Sequence, residues 1–232
     1  MSPKKVAISQ SNYIPWKGYF NNIKLVDEFV LYDDMQYTKR DWRNRNKIKT
    51  PNGLKWLTIP VEVKGKFFQK IKDTKISDKN WYIKHLNILK SNYSKAKYYK
   101  DVIGFIEELY ETANYNYLSE INYHFLSQIC DYLGINTKIS FSSDFNLLEE
   151  GKTDRLVDLC KQLKATQYYT GSAAKNYMDE TLFEEEGITI NYYDYSKFLE
   201  YPQLYGKFEH GVSILDLIFN EGKAAVNFLK AI

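Results

Sequence analysis

Lys5-Val-Ala-Ile-Ser9, Trp16-Lys-Gly-Tyr-Phe-Asn-Asn-Ile-Lys-Leu25 and Glu28-Phe-Val-Leu-Tyr-Asp33 follow one another near the start of the chain. The first and third runs are short and apolar, as strands buried on both faces are. The middle run carries helical spacing and is about ten residues long, enough for the crossover of a βαβ unit. Right-handed crossover then sets the two strands parallel and side by side. Between strand and helix lies Gln10-Ser-Asn-Tyr-Ile-Pro-Trp-Lys-Gly-Tyr19. This loop sits at the carboxyl end of a first strand, where open α/β sheets hold ligands. Gln10, Asn12, Tyr13, Trp16 and Tyr19 give it more aromatic and amide chemistry than a connector needs.

The rest of the chain extends this pattern. Pro51-Asn-Gly53 reads as a turn leading into a strand from Lys55 to Val63, and Gln69 to Ile76 alternates as a further strand. From Lys79 the period becomes helical through three segments, the last ending at Leu133 with Gly134 as its cap. Alternation then resumes. Strands are expected at Thr137–Phe141, Thr166–Tyr169 and Gly187–Tyr193. Helices are expected at Thr153–Leu163 (capped by Thr153), Asp179–Glu186 and Ser213–Asn220, with Gly222 just past the last. The order predicts an α/β fold: a mostly parallel, Rossmann-like sheet with an inserted helical segment. The implied division is 1–78 for the first half of the sheet domain, 79–135 for the helical insert and 136–232 for the second half.

Composition narrows the function classes. The 232 residues are 44% hydrophobic and 26% charged, as in an ordinary globular protein, but 21 tyrosines lift the aromatic share to 16%. A net charge of +3 without a block of like charges does not favour nucleic acid as a partner. Cys130 and Cys160 are isolated, and the three histidines are scattered, so neither a disulfide framework nor a metal site is expected. No long apolar run suggests membrane insertion, and a cytoplasmic protein is expected.

Three groups of residues carry candidate chemistry. The first is the loop itself, with Gln10, Asn12, Tyr13 and Trp16; Gly18 is read as backbone that a ligand can approach near the helix start. The second is Asp33 to Lys49, which opens onto the same edge. It brings Asp33, Gln36, Lys39, Arg40, Arg43, Arg45 and Lys47 around Trp42. Guanidinium groups pair bidentately with phosphate, and an indole stacks on a base or sugar; the plainer reading is a solvated loop of paired charges. The third follows the later strands: Gly171 and Ser172 with backbone suited to an anion, His210 as the loop histidine for proton transfer, and Ser213 and Asp216 at the final helix. His210 reads equally as a lone surface histidine or a helix-start contact, and Ser213 reads first as that helix's cap. No Ser/His/Asp or Cys/His set and no nucleotide-binding glycine fingerprint is present.

The runs Gln10–Tyr19, Tyr32-Asp-Asp-Met-Gln-Tyr-Thr38, Trp42–Gly53, Trp56-Leu-Thr-Ile-Pro-Val61, Tyr169-Thr-Gly-Ser172 and Ser213–Asn220 together resemble the WbqC-like family. The resemblance covers almost the whole chain. It implies a context of O-antigen and other surface-polysaccharide genes, and an enzyme attaching an amino acid such as glycine, or another acyl group, to the amine of a nucleotide-linked amino sugar. On that reading Arg40, Arg43, Arg45 and Lys47 hold the diphosphate, and Trp42 or Tyr13 stacks. Gln10, Asn12 and Asp33 orient the amine, and His210 takes its proton. Many members carry His-Gln-Pro where this chain has Ser9-Gln10-Ser11, so no histidine base stands there.

A weaker architectural likeness to the HIGH-motif nucleotidyl-transfer proteins places Trp16-Lys-Gly18-Tyr19 where their His-x-Gly-His lies. The two histidines that bind triphosphate are missing. An ATP-dependent ligase or nucleotidyltransferase and a non-catalytic sugar-nucleotide-binding protein stay open as alternatives. No residue fixes a cofactor; ATP with Mg²⁺, or a thioester on an acyl carrier protein docking near Lys39, are the donor chemistries considered.

Overall fold

β1 (Lys5–Ser9) is fully buried at its three central residues and lies in the middle of a five-stranded parallel sheet. The computed structural model describes residues 3–148 and 151–229. After β1, α1 (Lys17–Lys24) returns the chain to β2 (Glu28–Leu31), which pairs with β1 in parallel through Val6–Glu28 and Ser9–Leu31. The helical spacing of Tyr19, Phe20 and Ile23 explains this crossover, since all three are buried against the sheet.

The chain then leaves the sheet. β3 (Arg45–Thr50) and β4 (Gly53–Thr58) form a separate antiparallel hairpin, with Gly53 in the left-handed region as the tight turn requires. Two expectations fail here. The strand read at Lys55–Val63 is shorter: its ladder with β3 ends at Thr58, ahead of Pro60, which has no N–H to extend it, and Val61 makes only an isolated bridge to Ile76. Gln69–Ile76 is not a strand; Lys70, Lys75 and Ile76 make only isolated bridges. In the other direction, the Arg/Lys-rich segment read as a loop is in part β3, whose Asn46 and Ile48 point inward between charged neighbours.

Helices α2 (Trp81–Tyr93), α3 (Tyr99–Glu111) and α4 (Leu118–Leu133) follow, and Gly134 closes α4 in the left-handed conformation. β5 (Lys138–Phe141) joins the sheet beside β2. α5 (Lys152–Gln162) crosses to β6 (Gln167–Thr170) on the far side of β1, and α6 (Thr181–Glu185) leads to β7 (Thr189–Tyr192). α7 (Ile214–Glu221) and a short 3₁₀ segment complete the described chain. Thr153 does not cap α5; Gly151 stands at the cap, and the Thr153 hydroxyl accepts the Asp179 N–H instead.

The strand order is β5-β2-β1-β6-β7. Counting only sheet strands, this is the 3-2-1-4-5 order of a doubly wound Rossmann-like fold, and direction reverses between β1 and β6. One face is covered by α1, the α2–α4 helices and α7 in a large continuous core. The other is covered by α5 and α6 in a smaller one around Val6, Ile8, Tyr168 and Phe183. No helix among the described residues is long and apolar enough to cross a membrane.

Candidate functional site

Three segments meet at the carboxyl edge of the sheet, and backbone hydrogen bonds fix them to one another. The Tyr13 N–H donates to the Trp42 carbonyl (3.0 Å), the Ser213 N–H to the Lys47 carbonyl (2.8 Å) and the Ile214 N–H to the Pro15 carbonyl (2.8 Å). The β1–α1 loop, the start of β3 and the approach to α7 are therefore held together. Asn46 adds a side-chain tie: its buried amide donates to the carbonyls of Tyr13 (3.1 Å) and Ile14 (3.0 Å). Ile14 has a φ of 37°, unusual for a β-branched residue. Such backbone persists only where its surroundings over-determine it.

Between these segments lies a cavity of about 320 Å³, lined by Asn12, Pro15, Trp16, Trp42, Asn46 and His210. Trp42 is 40% exposed and leans on Trp56, with ring centroids 5.3 Å apart. The Arg45 guanidinium lies 4.1 Å from the Trp56 ring centre, and the Lys47 ammonium is 5.6 Å from that of Trp42. The cavity is thus walled by indoles, with amides and one imidazole directed into it. Burial, and then the Lys17 charge, lower the pKa of His210, while Glu200 and Glu209 pull the other way. The ring is edge-on to Phe208 at 4.6 Å. A neutral imidazole is the form that accepts a proton.

Lys17 was not singled out by sequence reasoning. Its side chain is buried, donates to the Leu199 carbonyl and sits 5.3 Å from the ring centres of both Phe198 and Tyr201. Burial lowers its pKa to about 8, with Glu200 opposing. No spacing rule reveals this, because the aromatic cage comes from residues 180 positions away.

A second cavity, of about 380 Å³, opens at the reversal point between β1 and β6. Gln10 and Thr170 at the two strand ends, Tyr32 and Met35 after β2, and Lys152 and Arg155 in the first turns of α5 line it. A wider groove of about 620 Å³ between β4 and α2 is shallow and lies away from the strand ends.

The sequence-predicted residues divide accordingly. Asn12, Trp16, Trp42 and His210 converge on the first cavity, with Lys47 beside it: the Lys47 ammonium lies 3.6 Å from where a Cβ on Gly211 would stand. Gln10 faces the second cavity instead. Arg43 is engaged by Asn12 and by Asp41 (3.5 Å), and Arg45 by the Arg40 carbonyl, so these two brace the loop. Lys39 and Arg40 are exposed and line neither cavity, and Gln36 donates to the Phe67 carbonyl at 2.8 Å. Gly171 and Ser172 lie past β6 at a 3₁₀ turn, outside both cavities.

Four placements correct the expected roles, and a fifth bears out the reading of Ser213 as a helix cap. Tyr13 does not stack on a ligand: it is fully buried, its hydroxyl hydrogen-bonded to His85 and Tyr110. Gly18 offers no open backbone, because the Trp16 ring lies where a Cβ would stand. Asp33 is buried, accepts the Ser11 N–H (2.8 Å) and the Ser119 hydroxyl, and has its pKa raised by burial against those bonds. Ser213 caps α7 through the Leu215 N–H. Asp216 is fully buried and accepts hydroxyls from Tyr93 (2.7 Å) and Tyr201 (2.8 Å). Asp33 and Asp216 therefore hold loops in place and do not reach a ligand.

Fold and site define a class: a doubly wound α/β protein with an indole-lined pocket and an adjacent basic cavity at the carboxyl edge of its sheet. The chain belongs to the WbqC-like protein family, which it matches over residues 10–228. It is also 50% identical over 227 residues to the uncharacterized protein Rv1507c of Mycobacterium tuberculosis strain H37Rv, covering 98% of each chain. No solved structure matches it.

Proposed function

We propose that this protein is a transferase that attaches an amino acid such as glycine, or another acyl group, to the amine of a nucleotide-linked amino sugar in surface-polysaccharide assembly. The carrying observation is the cavity formed by Trp16, Trp42, Asn12, Asn46 and His210. Indole faces suit the apolar face of a sugar, amides suit its hydroxyls, and a neutral imidazole suits an attacking amine. Lys47 beside the cavity supplies positive charge for a diphosphate, the role first assigned to the whole Arg/Lys run.

The amine nitrogen attacks the carbonyl carbon of an activated acyl donor and forms the amide C–N bond. The bond from that carbon to its leaving group breaks, and the leaving group departs with the electron pair, as a thiolate if the donor is a thioester. His210 accepts the proton from the attacking nitrogen. The second cavity, with Lys152 and Arg155, is assigned to the anionic donor.

Thermal-shift screening against UDP- and dTDP-linked amino sugars, followed by mass spectrometry of the amide product, tests this reading. The cognate sugar nucleotide stabilises the protein, and Trp42→Ala weakens its binding about tenfold. His210→Gln keeps binding but lowers turnover about 10²-fold or more. Stabilisation by ATP with no response to any amino sugar would overturn the proposal and favour the ligase alternative.

A further inference from the structure

The two most exposed large apolar side chains among the described residues lie outside both cavities. Phe67 and Phe68 are 70% and 82% exposed, with ring centroids 5.0 Å apart in an edge-on pair. They stand at the tip of Val61-Glu-Val-Lys-Gly-Lys-Phe-Phe-Gln-Lys-Ile-Lys-Asp-Thr-Lys-Ile76, which carries five lysines against two carboxylates. The tip is held by its backbone. The Lys66 N–H donates to the Val63 carbonyl (3.3 Å), the Tyr37 N–H to the Gln69 carbonyl (2.9 Å), and the Gln36 amide to the Phe67 carbonyl. Two adjacent aromatic rings in water are costly, and an exposed apolar patch rimmed by charge marks an interaction surface.

The rim has a definite sign. Lys66 pairs with Glu62 (2.5 Å), while Lys70 and Lys72 share the single carboxylate of Asp34 at 3.5 and 2.6 Å. Lys64 makes no ion pair among the described residues, and Lys75 lies over the Tyr117 ring. Asp73 adds one more carboxylate, and with Glu62 and Asp34 it still leaves the five lysines in excess along the loop that carries the rings. Aromatic side chains flanked by lysines complement the interface of a bilayer bearing anionic headgroups: the rings enter at the headgroup level and the ammonium groups meet phosphate.

We propose that the Lys64–Lys72 loop docks the protein peripherally on an anionic phospholipid surface. The membrane insertion set aside on hydropathy is that of a spanning helix; this contact needs only two rings. It is independent of the acyl-transfer reading but has a geometric consequence for it. The Ile71 N–H donates to the Met35 carbonyl and the Lys72 N–H to that of Asp33, so the loop is stitched to the segment leaving β2. Met35 lines the second cavity, so docking brings that edge of the sheet close to the bilayer.

Co-sedimentation of the full chain with vesicles of phosphatidylglycerol and phosphatidylcholine, against phosphatidylcholine alone, tests the proposal. The protein is expected to pellet with the anionic vesicles and to be released by salt. Phe67→Ser with Phe68→Ser should weaken partition at least tenfold, with unchanged circular dichroism and unchanged sugar-nucleotide binding. Lys64→Gln with Lys66→Gln should weaken it about fivefold per charge removed. Failure of the wild-type chain to bind, or equal binding by the double Phe variant, overturns the proposal. So does retention on polyglutamate without vesicle binding, which would assign the loop to an acidic protein partner.

Discussion

Asn46 shows how one side chain builds a site without touching chemistry. Its amide supplies donors to two successive carbonyls, one of them on the left-handed Ile14, while its own oxygen accepts the Lys47 N–H at 2.8 Å. Asn46→Ala leaves two buried carbonyls unpaired and releases the constraint on Ile14. A loss of about 2 kcal/mol in unfolding free energy is expected, together with weaker ligand binding, because Pro15 and Trp16 follow directly. Chemical denaturation checks the first and titration with the cognate sugar nucleotide the second. At this scale the sequence was only partly readable. Trp16, Trp42 and His210 stand out by residue type and position. Asn46 and Lys17 do not: an amide inside a charged run and a lysine inside a helix acquire their meaning only from distant partners.

At the scale of elements, α2 is joined to both the hairpin and the β1–α1 loop through one imidazole. His85 Nε2–H donates to the Thr58 carbonyl at the end of β4 (3.2 Å), so Nδ1 accepts from the Tyr13 hydroxyl (2.8 Å), which in turn accepts from Tyr110 (2.7 Å). Burial pushes the His85 pKa down from 6.5 to about 4. Well above pH 6.5 both folded and unfolded His85 are neutral and no proton linkage exists. As pH falls from 6.5 towards 4, only the unfolded chain takes up the proton, and the folded state loses about 3 kcal/mol relative to neutral pH. Wild-type unfolding free energy should therefore fall with acidification across this window more steeply than that of His85→Gln. Equal slopes would remove His85 as the cause. Long periodic elements such as α4 and the buried β1 and β2 were legible because one physical pattern dominates each. β3 was not, since its inward residues alternate with arginine and lysine, and Gln69–Ile76 mimicked a strand because alternation alone does not secure a pairing partner.

For the molecule as a whole, the decisive relation is between the helical segment and the sheet into which it is inserted. The order of helices and strands suggested an insert at 79–135, and α2–α4 do lie between β4 and β5 in the chain. Their packing shows how closely the two parts depend on each other. The Tyr13 ring from the β1–α1 loop lies edge-on to Trp81 of α2 and Phe125 of α4, at 5.8 and 5.4 Å, and fills the space between these helices. Asn122 of α4 donates to the Ser11 hydroxyl and the Arg43 carbonyl, both at 2.9 Å, and Ser119 donates to Asp33. Removing the sheet would therefore empty the centre of the helical layer and leave Asn122 and Ser119 without these partners. A fragment of about 60 residues has little core to spare. Residues 79–135 expressed alone are expected to show no cooperative thermal transition by far-ultraviolet circular dichroism. The full chain is expected to lose tryptophan fluorescence and helical signal in one coincident step. A fragment that melts cooperatively, or two separated transitions in the full chain, would mean that the loop carrying the first cavity is positioned by the sheet alone.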